Sequence, residues 1–170
     1  MHDESFEGGC ACGQIRYKMK SKPMIVHGCH CRLCQKQSGA AFAINALIEA
    51  NQVAVTKGEV VEITVPSPSG KGQKIARCPK CQIAVWSNYL IVGDGIAEQI
   101  RFIRVGTLDN PDTFPPDVHI YTSTKQPWVI LPPDDYAVEE GYVAKETWTP
   151  ESYKRLTTLK NAAKEAASEQ

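Results

Sequence analysis

A chain of 170 residues, 42% of them hydrophobic, suits one domain that buries a core without covalent staples. Its 19 acidic and 19 basic side chains cancel and no stretch is strongly basic, so nothing recommends nucleic acid or an anionic membrane as partner. The polar, acidic opening lacks the apolar run of a signal peptide, and no apolar run approaches the roughly 20 residues that span a bilayer; the expectation is a soluble, cytoplasmic protein.

In chain order, Gly8-Gly9-Cys10-Ala11-Cys12-Gly13 is a Cys-x-Cys pair whose flanking glycines let the backbone turn tightly around a ligand. Ile15, Tyr17 and Met19 alternate with polar residues over 14–20, the pattern of a half-buried strand. After a turn at Ser21-Lys22-Pro23, residues 24–28 form a short strand leading into Cys29-His30-Cys31-Arg32-Leu33-Cys34. Residues 35–38 make one helical turn stopped by Gly39. Strands are expected over 41–49, 53–56 and 60–65, the last two joined near Lys57-Gly58. The Pro/Ser/Gly-rich loop at 66–72 lets the chain return as a hairpin through 74–77. Cys78-Pro79-Lys80-Cys81 is a second turn-type thiol pair. Further strands fall at 84–92 and 100–106, separated by Gly93-Asp94-Gly95, with a loop over 108–116 and a short strand at 118–121. Residues 126–136 carry three prolines around Trp128 and read as an extended packing segment. Thr149-Pro150-Glu151 is a helix start, followed by an apolar stripe of Tyr153, Leu156 and Leu159 and a run of alanines that frays after Ala167. Short strands and one terminal helix make a mostly-β domain over 1–148 with a helical tail over 149–170.

Seven cysteines, an odd number in a reducing compartment, argue against a disulfide framework, and their bunching points to metal. In extended backbone Cys29 and Cys31 present their sulfurs on one face, and the two residues before Cys34 allow a turn that brings the third thiol to the same point. Two ions, with four and three ligands, use every cysteine. Spacing allows two divisions. In one, Cys31 and Cys34 join Cys78 and Cys81 in a ribbon-like site and Cys10, Cys12 and Cys29 are left together. In the other, Cys10, Cys12, Cys78 and Cys81 close one site and Cys29, Cys31 and Cys34 stay whole. The second is preferred, because Cys29 and Cys31 share a face. A tetrahedral ion at the trio is then one protein ligand short, as catalytic zinc sites are.

The motifs Gly-Gly-Cys-x-Cys-Gly-x-Ile-Arg-Tyr at 8–17, Cys-His-Cys-x-x-Cys-Gln-Lys-x-Ser-Gly at 29–39 and Cys-Pro-x-Cys at 78–81 occur in that order. With Gly106-Thr107-Leu108-Asp109, His119-Ile120 and Lys125-x-Pro127-Trp128, they resemble the glutathione-dependent formaldehyde-activating enzyme family, which also includes centromere protein V. The resemblance covers 5–136; the chain after Trp148 lies outside it. It implies a β-tent of small stacked antiparallel sheets around zinc, a closed structural zinc at Cys10, Cys12, Cys78 and Cys81, and a catalytic zinc at Cys29, Cys31 and Cys34. It implies a carbon–sulfur lyase or synthase that adds glutathione to formaldehyde or a related small aldehyde. The sequence departs from the pattern at Gln82, where the family has glycine; a left-handed turn there costs a non-glycine residue about 1 kcal/mol.

Three thiolates on a dication leave about −1 of charge, which suits a soft fourth donor such as a thiol. Arg32, Gln35 and Lys36 are the candidates to meet glutathione's carboxylates. His30, between two ligands, must point away from the metal, whereas His27 shares a face with Cys29 and can serve as a fourth ligand that closes the site. Trp86 and Trp128 read as core, and the terminal helix as a docking surface, on this chain or a second copy. The alternative functions are a non-enzymatic zinc-stabilised scaffold for a protein partner, and a redox or metal-storage role for the thiol nest.

Overall fold

The computed structural model describes residues 5–90 and 95–168; the strand end expected at 91–92 and the turn residues Gly93-Asp94 lie outside them. The described residues form strands β1 Phe6–Gly9, β2 Arg16–Met19, β3 Ile25–Cys29, β4 Ala43–Glu49, β5 Val53–Lys57, β6 Val61–Val65, β7 Gln73–Arg77, β8 Ala84–Tyr89, β9 Ile100–Arg104 and β10 Val118–Ile120. Helices are α1 Arg32–Ser38, α2 Ala144–Thr147 and α3 Pro150–Ser168. The fold is mostly β with a C-terminal helix. Its strands make a three-stranded sheet, β1-β2-β5, and a seven-stranded sheet, β10-β3-β4-β9-β8-β7-β6.

Two features differ from the expected small antiparallel sheets. One sheet is large, and its edge pair β10–β3 runs parallel, with Val118 opposite His27 and Ile120 opposite Cys29. Parallel neighbours require a long crossover, and β10 is far in sequence from β3. The turn at Lys57-Gly58 also closes no hairpin, because β5 pairs with β2 and β6 with β7; the chain changes sheets there.

Ile15, Tyr17 and Met19 are fully buried, as their alternation demands, and pack with Ile48, Val85 and Trp86 in the main core. Trp86 is 1% exposed and lies under the Arg101 guanidinium, 4.5 Å from its ring centre. A second cluster joins Met24, Ile25, Leu47, Ile96, Ile100 and Val118 to Leu156 of α3. Arg155 pins that helix through both carboxylate oxygens of Glu49 and the Lys22 carbonyl, so α3 docks on its own chain.

Trp128 is not core. It is 69% exposed, and Ile130 is 90% exposed. Their segment meets β10 only at its far end, where the Tyr136 carbonyl accepts from the His119 N–H at 2.8 Å. The stretch before that pairing runs outside the sheet, its prolines unable to donate to a ladder.

Gln82 adopts φ 61°, so the left-handed turn persists although glutamine replaces the family's glycine there. Its N–H donates to the Cys78 carbonyl at 3.0 Å and its own carbonyl accepts from Arg77 at 2.8 Å, so the knuckle imposes the turn. Gln82→Gly should keep both bonds and relieve the clash. Glycine's greater unfolded-state entropy and the lost side-chain bond to the Pro79 carbonyl offset part of the gain, leaving about 0.5 kcal/mol of added stability in thermal melts.

Candidate metal centre

The seven sulfurs gather into two groups, each with all members within 4.8 Å of one another: Cys10, Cys12, Cys78 and Cys81, and separately Cys29, Cys31 and Cys34. In the first group Cys10 and Cys12 come from the turn between β1 and β2, Cys78 and Cys81 from the turn between β7 and β8. The Cys12 sulfur lies 3.6 Å from that of Cys10 and 3.7 Å from that of Cys78. A disulfide needs about 2.05 Å, whereas a tetrahedral zinc with bonds of about 2.3 Å sets its sulfurs about 3.8 Å apart. The spacing fits the ion and excludes the bond. Burial pushes the Cys10 thiol up, but the Ile15 N–H, 3.2 Å from its sulfur, and the neighbouring thiols outweigh this and hold it at about 6. The Ile15 N–H thus favours thiolate, the form a metal binds, at Cys10, whereas at Cys12 the Gln14 N–H is outweighed by desolvation and the neighbouring thiols, which push it up to about 11.

The second group is built within six residues. Cys29 ends β3, while Cys31 caps α1, its sulfur accepting from the Cys34 N–H at 3.3 Å. This cap turns the chain so that the first helical turn returns Cys34 to the other two. Gly39, at φ 67°, ends α1. Hydrogen bonds from Cys29 and Cys34 draw the Cys31 thiol down to about 2, while the Cys31 sulfur pushes Cys29 well above its ordinary value. Its sulfurs open on a cavity of about 320 Å³ whose other walls include Asn45, Gln73, Tyr89, Phe102, Arg104 and Tyr121.

The profile of the glutathione-dependent formaldehyde-activating enzyme family matches residues 5–124. The chain belongs to this family. Among solved structures it is similar to a Rhodobacter sphaeroides protein from a structural genomics programme, at 16% identity and a TM-score of 0.44 over 61% of this chain and 87% of that one. No curated protein matches it significantly.

This member of the family disposes its other marked residues as follows. His27 lines the cavity, but its Nε2 is engaged with the Tyr142 hydroxyl, to which Trp148 Nε1 also donates at 2.8 Å. Among the described residues it does not join the sulfurs as a close fourth donor. His30 is fully buried and turned toward Phe42 and His119, with Nε2 2.9 Å from His119 Nδ1. His119 in turn reaches Asp135 at 3.3 Å. Gly28 makes this stack possible, since a Cβ there would lie 2.5 Å from the His119 ring.

Arg32, Gln35 and Lys36 line a different space, an open groove of about 520 Å³ with Gln126 and Trp128. Arg32 and Lys36 share one face of α1, and Cys34 lies about 200° round from each, across a helix about 10 Å wide. Gln35 is a tie: its amide donates to the His30 carbonyl at 2.7 Å and the Thr124 carbonyl at 3.0 Å, and its oxygen accepts from Arg32.

The cavity's other polar walls carry no marker in the sequence. Arg104 ends β9, which carries an arginine on each face, and Asn45 interrupts the apolar run at 43–48. Tyr121 stands in the left-handed conformation at φ 55°, which its side-chain type does not foretell. Among the described residues no helix is long and apolar enough to cross a membrane.

Proposed function

We propose that this protein is a zinc-dependent enzyme of the carbon–sulfur lyase type, adding glutathione to formaldehyde or a related small aldehyde, or cleaving the adduct. Cys10, Cys12, Cys78 and Cys81 would hold a structural ion, and Cys29, Cys31 and Cys34 a catalytic one. The observation that carries the reading is the contrast between the two thiol groups: four sulfurs knit two turns together, whereas three sulfurs face a cavity. That cavity favours an enzyme over a scaffold, which needs no enclosed space beside its metal ligands. The family's name supplies the two reactants.

A zinc ion held by Cys29, Cys31 and Cys34 would supply a soft acid site that favours the thiolate form of an added thiol, worth about thirtyfold over a free thiol of pKa near 8.5 at neutral pH. The chain's own groups do the rest. The trio fixes the place of attack, and the cavity holds thiol and aldehyde together, the entropic advantage of an intramolecular reaction. The new C–S bond forms as the carbonyl π bond breaks, and the thiol's proton ends on the carbonyl oxygen. Arg32 and Lys36, with Gln35 holding Arg32 in place, are assigned to glutathione's carboxylates where the tripeptide passes round the start of α1. Replacing both cations with alanine should raise KM for glutathione about tenfold and leave kcat unchanged.

The reading is tested by exchange NMR on mixtures of glutathione and formaldehyde. Zinc-loaded protein should speed interconversion of the free thiol and S-hydroxymethylglutathione, and chelation should abolish the effect. No acceleration would exclude the activity.

A further inference from the structure

Apart from the cysteines and His27, Arg104 is the one ionisable cation among the described residues lining the thiol cavity, and no Asp, Glu or Lys joins it. Its oxygen acceptors are neutral amides, and Cys34 is its sulfur partner. The guanidinium donates to Asn45 Oδ1 at 2.5 Å and to Gln37 Oε1 at 3.0 Å. The Gln37 amide then donates to Gln73 Oε1 at 2.8 Å, and the Gln73 amide to Ser87 Oγ at 2.7 Å. Asn45, Gln73 and Ser87 are buried, so α1, β4, β7, β8 and β9 together fix this cation and orient each amide oxygen along the chain. Among the described residues no carboxylate lies within ion-pair distance of it. A desolvated cation held by neutral acceptors is costly unless an anion offsets it. The anions at hand are the cysteine sulfurs: burial lowers the Arg104 pKa, and Cys34 and Cys29 raise it again.

Charge counting then separates the classes of fourth donor. Three thiolates on a dication carry about −1; a thiolate brings the group to −2, and a neutral donor leaves it unchanged. A fixed positive charge beside the sulfurs therefore favours the anionic donor over the neutral one. We infer that Arg104 is the built-in counter-charge that sets this cavity to accept its exogenous donor as a thiolate in preference to neutral nitrogen or oxygen donors. The inference rests on the trio's metal-binding role proposed above and specifies what that site selects.

The test is calorimetric titration of the zinc-loaded protein with glutathione, with 2-mercaptoethanol, which has no carboxylate, and with imidazole as a neutral donor. R104Q should weaken both thiols by about 10–100-fold and change imidazole by less than about threefold. R104K, which keeps the charge, should restore most of the thiol affinity. Equal losses for thiols and imidazole, a loss for glutathione alone, or no loss would each overturn the counter-charge role; a loss for glutathione alone would make Arg104 a carboxylate contact. Wild-type protein that binds no thiol would overturn the metal-site reading and this inference with it. Thiol binding that R104Q leaves intact would overturn this inference alone. Should R104Q fail to fold or to keep zinc, R104K decides: thiol affinity within about threefold of wild type supports the role, and a loss beyond about tenfold contradicts it.

Discussion

Cys78→Ser is expected to unfold the chain or drive it to aggregate, the largest stability effect of any single substitution considered. Cys78 is fully buried in the main core and reaches across 66 residues of sequence to Cys12. A closed zinc site contributes its binding free energy directly to folding, on the order of 10 kcal/mol in small zinc modules. A whole domain is stable by only about 5–15 kcal/mol. Losing one of four ligands, and leaving a polar oxygen in an apolar setting, should cost at least about 3 kcal/mol and lower the melting temperature by about 10 °C or more. Circular dichroism melts and gel filtration, with zinc measured on whatever remains soluble, provide the check. A variant melting within a few degrees of wild type would deny this ion its structural role.

Cys31→Ser should behave in the opposite way, abolishing activity while the fold survives. Its sulfur caps α1, and serine is among the best N-cap residues, so the helix start keeps its partner. The trio loses a third of its donors and with them its grip on one ion. Activity should fall at least about 100-fold, zinc should drop by one per chain, and the melting temperature should move by no more than about 4 °C. The two variants are informative as a pair: if they behave alike, the division into a structural and a catalytic ion is wrong.

The residues that were legible in the sequence are those whose role is set within a few neighbours. Cys29, Cys31 and Cys34 converge because extended backbone and one helical turn bring them together locally. Ile15, Tyr17 and Met19 are placed by strict alternation, whereas the turn at Gln82 was open in the sequence and is fixed by the knuckle's hydrogen bonds. Arg104 was not legible, because β9 carries an arginine on each face, Arg101 and Arg104, and only the distant Asn45, Gln37 and Cys34 show which one meets the thiols. Trp128 misled for a related reason: a large aromatic ring suggests burial, but its proline-rich segment has no neighbouring strand to cover it until Tyr136. The parallel pairing of β10 with β3 depends on a crossover that no local pattern encodes. Arg32 and Lys36 were legible as cations near the thiols in sequence, but helical rotation places them in the groove beside α1 and not in the thiol cavity, a separation no local pattern shows.

The central claim is that one ion is fully ligated by the chain and the other takes its last donor from solution. X-ray absorption on protein of measured zinc content tests it most directly. Two zinc ions per chain are expected, with an average of about 3.5 sulfurs each before glutathione is added and four afterwards. One zinc per chain, four sulfurs already present on both ions, or a sulfur count that glutathione does not change would contradict it.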